Sequence, residues 1–339
     1  MKYACVIVVL AASVIPSGEL HAEEDTGFNA LLRMQYELVE VDAGEDEDSG
    51  LYLTDGWAGG QANSQNWGAL FLDGREQIND DLMVFGRLGF NVNAEGVAEG
   101  SARQRDVKVG LSGEFGELVA GRLETPYKVA GLGWDPLNAT FLQARGNLGR
   151  SGGAFGHASY LDNAIRYTRS VGDASVSAFG ALDDPGGEGS GDRHAWGVSA
   201  VSPAGPVELL VSHIDASRFR GGPDDRTATK LGLRYREGPF TFTTHHEQRG
   251  EGFEDGDFLF LSGMYETASW SLVLNHGQFS ADGPSGDADY YALGARYRAG
   301  NGLSIHGGVR RSDPDQASAE TIAGLGMRVI VGTGWLSHR

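Results

Sequence analysis

From Phe28 onward the sequence alternates with a period of two, and it does so almost to its end. Phe28, Ala30, Leu32, Met34, Tyr36 and Leu38 fall on one face of an extended chain, while Asn29, Arg33, Gln35 and Glu37 fall on the other, because successive side chains of a strand point to opposite sides. The rhythm returns at Leu231, Leu233 and Tyr235 against Lys230, Arg234 and Arg236, and again at Ala323, Leu325, Met327 and Val329 against Arg328. Such a chain is all-β. Beyond the N-terminus no apolar run approaches the ~20 residues that a spanning helix needs. Alternating strands nevertheless can cross a bilayer, since every second residue is enough to face lipid.

Short turn signals, such as Asn79-Asp80-Asp81, Val171-Gly172-Asp173 and Glu237-Gly238-Pro239, alternate with long acidic ones, such as Gly44 to Gly50, Asp183 to Asp192 and Gly250 to Asp257. Counting between them predicts sixteen antiparallel strands. Short turns at one end and long loops at the other describe a transmembrane β-barrel, and an even strand number brings both termini to the short-turn end. The 52 Gly and 10 Pro are spread along all 339 residues with no linker-like block, so residues 23–339 read as one domain. Residues 1–22 read as a secretory signal, with Lys2, an apolar stretch from Ala4 to Ile15 and a small residue, Ala22, at the cut. The only cysteine, Cys5, lies inside it.

Strand by strand, a soluble secreted β-sandwich or adhesin competes with the barrel, its apolar face being the core. The aromatic residues favour the barrel: Tyr36, Tyr167, Tyr235, Tyr265, Trp270, Tyr291 and Tyr297 sit on the apolar face and are expected at strand ends, where interfacial girdles belong. Sixteen strands also enclose a lumen too wide for side chains to fill. The formal charge of −19 argues against a nucleic-acid partner.

One stretch breaks the rhythm. Arg105 to Tyr167 holds two strands, then about 35 Gly-rich residues, roughly 125–160, and then the strand that contains Asn163 to Tyr167. A structureless connection of that length is uncommon unless it is functional.

Three segments in this region carry a family resemblance. LDGREQINDDL (Leu72 to Leu82), VGLSGEFGELVAGR (Val109 to Arg122) and NLGRSGGAFGHASYLDNAIRY (Asn147 to Tyr167) resemble hairpins of the sixteen-stranded general diffusion porins of Gram-negative outer membranes. The resemblance implies an outer-membrane homotrimer embedded in lipid and lipopolysaccharide, passing ions and small hydrophilic solutes, with a third extracellular loop folded inward. It also implies a basic wall facing an acidic loop across the constriction. By this likeness Arg122 falls on the family's Gly-Arg position, Arg150 on its Arg before Gly-Gly, and Arg33 on a basic position of the first strand. Many members carry another wall Arg where this chain has Ala69, and Arg87 and Lys108 are the candidates to compensate. The family's Pro-Glu-Phe-Gly-Gly is absent, which leaves Asp135 and then Glu124 as the acidic candidates.

Other chemistry is weakly supported. His245 and His246 are adjacent and point to opposite faces, so they cannot share one ion with Glu247, and no cofactor or metal is expected. The acidic runs Glu45 to Asp48 and Glu251 to Asp257 lack the spacing of a calcium loop. His213, His246 and His276 fall near the lipid face by parity, but no Ser–His pairing can be read from the sequence. The reading is therefore a non-enzymatic diffusion channel, with a substrate-selective channel of the same fold as the alternative. At the far end, either Ile322 to Val331 is the last strand or the chain lacks a closing aromatic.

Overall fold

The computed structural model describes residues 27–44, 49–58, 61–62, 67–92, 104–153, 155–157, 160–182, 194–217, 219–222, 225–250, 255–284 and 286–332. The segment expected to be a signal, Glu45 to Asp48, most of Glu251 to Asp257 and the last seven residues lie outside them. In chain order the strands are β1 (Gly27–Asp42), β2 (Gly50–Thr54), β3 (Trp57–Ala58), β4 (Gln61–Ala62), β5 (Ala69–Asn79), β6 (Leu82–Asn91), β7 (Gln104–Gly113), β8 (Gly116–Glu124), β9 (Tyr160–Val171) and β10 (Ala174–Leu182). They continue as β11 (His194–Ala204), β12 (Val207–Asp215), β13 (Thr227–Glu237), β14 (Phe240–Arg249), β15 (Gly256–Glu266), β16 (Trp270–Ala281), β17 (Ala288–Arg298), β18 (Leu303–Pro314) and β19 (Glu320–Gly332).

Each long strand pairs antiparallel with its neighbours in sequence, and β19 closes on β1 from Leu31↔Gly332 to Asp42↔Thr321. Closure leaves no free edge, as a sheet in hydrocarbon requires. β2 pairs with the far half of β1 and β5 with the near half, so these two segments share one position and the barrel has sixteen. The excursion between them carries the small β3–β4 hairpin. At the tight-turn end, Gly172, Gly205 and Gly238 adopt φ of 59°, 65° and 56°, the left-handed conformation that two-residue hairpins require.

Burial runs opposite to that of a soluble protein. Leu274, Leu293 and Leu325 are 63%, 57% and 66% exposed on the outside, while Lys230, Glu247 and Arg310 are fully buried inside. A sandwich would reverse these, so the soluble alternative has no support. Tyr167, Tyr235, Tyr265, Trp270 and Tyr297 lie near the tight-turn end, joined there by Phe240. Trp270 packs on Tyr297 at 4.8 Å and Phe240 on Tyr265 at 5.3 Å. Tyr36 departs from expectation, since β1 is sixteen residues long and places it mid-strand.

Leu293→Arg puts a charge at mid-height on the outer face and is expected to cost about 2–4 kcal/mol of folding free energy in a bilayer. Equilibrium refolding into lipid vesicles measures it; an exposed site on a soluble protein would change by no more than about 0.5 kcal/mol.

Candidate functional site

The connection between β8 and β9 turns into the barrel and folds there. Thr125 caps a one-turn helix, α1 (Pro126–Val129), its Oγ1 accepting from the Lys128 amide at 3.1 Å, with Pro126 at the first position. Asp135 then organises the next turns. Its Oδ1 accepts from the Leu137 amide (2.9 Å) and from Asn275 Nδ2 (2.8 Å), and its Oδ2 accepts from the Ala144 amide (2.9 Å). Ala139 sits at φ 59°, costly for a residue with a Cβ. It is held there because its amide donates to Gln143 and its carbonyl accepts from Arg328.

A coil inside a barrel has carbonyls that neither sheet nor bulk water satisfies. Here the wall supplies the donors. Lys230 Nζ donates to the Tyr127 and Ala130 carbonyls at 2.5 and 2.7 Å, and Arg296 donates to that of Pro136 at 2.8 Å. Arg328 donates to the carbonyls of Asn138 and Ala139, Tyr290 to that of Leu142, and Ser312 to that of Asn147. In the other direction Glu37 accepts from the Phe141 amide at 3.1 Å. Leu137, Phe141 and Leu142 add an apolar contact with Val39, Phe260, Tyr290 and Ile322. At Gly277 a Cβ would stand 2.4 Å from the Gly149 Cα, so glycine on both sides permits the closest approach of loop to wall.

A second anchor is buried between Ser151, His157, Arg150, Lys230 and Glu247. Arg150 and Lys230 both approach His157 Nε2 at 2.8 Å. Each can only donate, so Nε2 accepts and the ring is neutral, with its proton on Nδ1 beside the Ser151 oxygens at 3.1 Å. Burial, reinforced by Arg150 and Lys230, holds the imidazole pKa well below its usual value. Ser151 Oγ donates to Glu247 at 2.5 Å. A ring that presents N–H to this serine cannot take its proton, so the trio is a clasp.

The residues singled out from sequence separate into groups. Asp135 and Arg150 are only 2% and 1% exposed and are buried between the loop and the barrel wall, where they meet Asn275 and Phe260. Arg150 donates to the Gly131 carbonyl at 3.0 Å and lies over Phe260. Arg122 bonds Asp162 at 2.7 Å, and Glu124 pairs with Lys128 at 2.8 Å. Arg33, Arg87 and Lys108 lie together on the inner face of β1, β6 and β7. Arg87 pairs with Asp73 (2.5 Å) and Asp106 (3.4 Å), and Lys108 with Asp106 (2.9 Å). Arg33 packs between the Trp67 and Phe71 rings at 4.9 and 4.8 Å. His245 is buried against Trp134 and His246 is exposed, on opposite faces of β14. Sequence reasoning missed the anchoring wall, although Lys230, Arg296 and Arg328 all stood on the polar face of their strands.

A sixteen-stranded barrel with one connection folded against its inner wall defines a channel-forming outer-membrane protein. The family described as Gram-negative porin matches residues 8–317, and the chain belongs to that family. Its barrel forms an outer-membrane diffusion channel, and the family is in general non-enzymatic. By sequence, the chain matches no curated protein. Among solved structures it is similar to a loop-deletion form of OmpT, an outer-membrane protein of Vibrio cholerae (15% identity, 91% of this chain and 100% of that one, TM-score 0.67). It is also similar to OmpF of Salmonella typhi in complex with daunomycin (15%, 89% and 97%, TM-score 0.66) and to a substituted Rh. blastica porin (16%, 90% and 99%, TM-score 0.65).

Asp135→Ala removes a charged acceptor from three donors and is expected to weaken loop anchoring by about 3 kcal/mol. Faster hydrogen exchange at the Leu137 and Ala144 amides, with a larger unit conductance, is the readout. The His157 clasp gives a pH dependence. The folded pKa lies below the released-loop value near 6.5, so the anchor is fully present above pH ~6.5 and weakens by up to about 1.4 kcal/mol per pH unit as pH falls toward the folded pKa. Loop proteolysis followed against pH is expected to accelerate on the acid side, and His157→Gln is expected to flatten the profile.

Proposed function

We propose that the chain is a passive channel for ions and small hydrophilic solutes, narrowed by the 125–160 segment, with no bond made or broken in transit. One observation carries this reading: the segment is fixed to the inner wall at many points along its length, through Lys230, Arg296, Arg328, Tyr290 and Glu37. A loop held so firmly reduces the open section without behaving as a mobile plug. Arg33, Arg87, Lys108, Arg122 and Glu124 border the passage, while Asp135 and Arg150 hold its loop in shape. Export by the N-terminal signal, assembly as a homotrimer, and contact with outer-membrane lipid and lipopolysaccharide complete the proposal.

Recording from planar bilayers tests it. Folded, heat-modifiable protein is expected to insert with ohmic steps grouped in threes. Absence of conductance would sink the reading, and block by one solute at low concentration would replace it with a substrate-selective channel.

A further inference from the structure

We infer that the passage prefers small anions over cations and that Arg33 is the side chain that sets this preference; the inference rests on the channel reading above. The loop packs against β10 to β19 and the far half of β1, through Leu137, Phe141 and Leu142 on one side and Tyr127, Ala130, Trp134 and Phe155 on the other. The open part of the lumen therefore runs along the opposite wall, beside β5 to β7 and the near half of β1.

From β19 across β1 and β5 to β6, leading onto that wall, three guanidinium groups alternate with two rings. Arg328 lies 4.8 Å from the Trp67 ring and Arg33 lies 4.9 Å from the same ring; Arg33 lies 4.8 Å from Phe71 and Arg87 lies 4.7 Å from Phe71. A ring holds a cation in place without cancelling its charge, whereas a carboxylate does both. Arg87 is matched by Asp73 and Asp106. Among the described residues neither Arg33 nor Arg328 pairs with a carboxylate; Arg328 is held by Gln35 and loop carbonyls, and Arg33 by the two rings alone. Arg33, half-buried between the rings, is thus a fixed positive charge on the uncovered wall with no ion-paired carboxylate among the described residues.

The loop does not offset it. Between Thr125 and Tyr160 the sequence has Lys128, Arg145 and Arg150 but a single carboxylate, Asp135. That carboxylate is buried, with both oxygens committed to internal donors. A basic wall facing an acidic loop would orient dipoles across the gap. Here the acidic partner is withdrawn and the remaining fixed charge is positive. The chain's −19 does not reverse this, because salt screens charges beyond about 8 Å while the passage is governed by the charges that line it.

The test is the zero-current potential of the inserted full-length protein under a KCl gradient, with Arg33→Gln, Arg33→Glu and Arg33→Lys checked for heat-modifiable folding. The native channel is expected to show the anion sign. A unit charge ~6 Å from a passing ion in a water-like dielectric, screened by salt, favours an anion and disfavours a cation by a little under two-fold each, so Arg33→Gln is expected to lower the anion-to-cation permeability ratio about three-fold and Arg33→Glu, which changes the charge by two, about ten-fold. Arg33→Lys is expected to keep it. Channels with the cation sign, an unchanged ratio in Arg33→Glu, or an equal loss in Arg33→Lys and Arg33→Gln would each overturn the inference while leaving the channel reading intact. Failure of the native protein to conduct would overturn both.

Discussion

The arrangement depends on backbone carbonyls that have been taken away from water. A coil can lie inside a barrel only if each of its polar groups finds a partner, since an unpaired buried carbonyl costs on the order of 1–3 kcal/mol. Lys230, Arg296, Arg328, Tyr290 and Ser312 project from four strands that are distant in sequence from the loop, and together they supply its donors. Charged donors to such carbonyls are among the stronger hydrogen bonds. The barrel thus determines the path of the loop, and the path of the loop determines which half of the lumen stays open.

The fold was legible because its signal is local. Alternation fixes which face of Leu231 to Tyr235 meets lipid, and turn residues such as Gly172, Gly205 and Gly238 fix where hairpins reverse. Counting turns gives the strand number, but it does not show that β2 and β5 are two pieces of one barrel position, because that depends on both pairing with β1. Tyr36 illustrates the same limit: parity places it on the outer face correctly, but its height depends on how far β1 extends.

The site was less legible because its signal is non-local. Asp135 looks like a constriction acid when judged by residue type and position in a long loop. What gives it its place is Asn275, 140 residues away, and the Ala144 amide. Arg150 likewise reads as a basic wall residue, yet it meets His157 and the Gly131 carbonyl and is buried. The one sequence hint was the thin acidic content of the segment itself: a single carboxylate among so many backbone donors is more readily consumed by them than left facing water.

Basic side chains on the inner face therefore do two kinds of work, and geometry sorts them. Those that meet the loop, Lys230, Arg296 and Arg328, spend their N–H groups on carbonyls and fix the shape of the opening. Among the described residues Arg33 is held by the Trp67 and Phe71 rings, and a ring leaves its charge uncancelled. Arg328 belongs to both sets, since it grips Asn138 and Ala139 while lying 4.8 Å from the Trp67 ring. Trp67 thereby stands between the two sets: the ring that orients Arg33 also meets a guanidinium bound to the loop, so the side chain that grips Ala139 and the charge beside the passage share one ring.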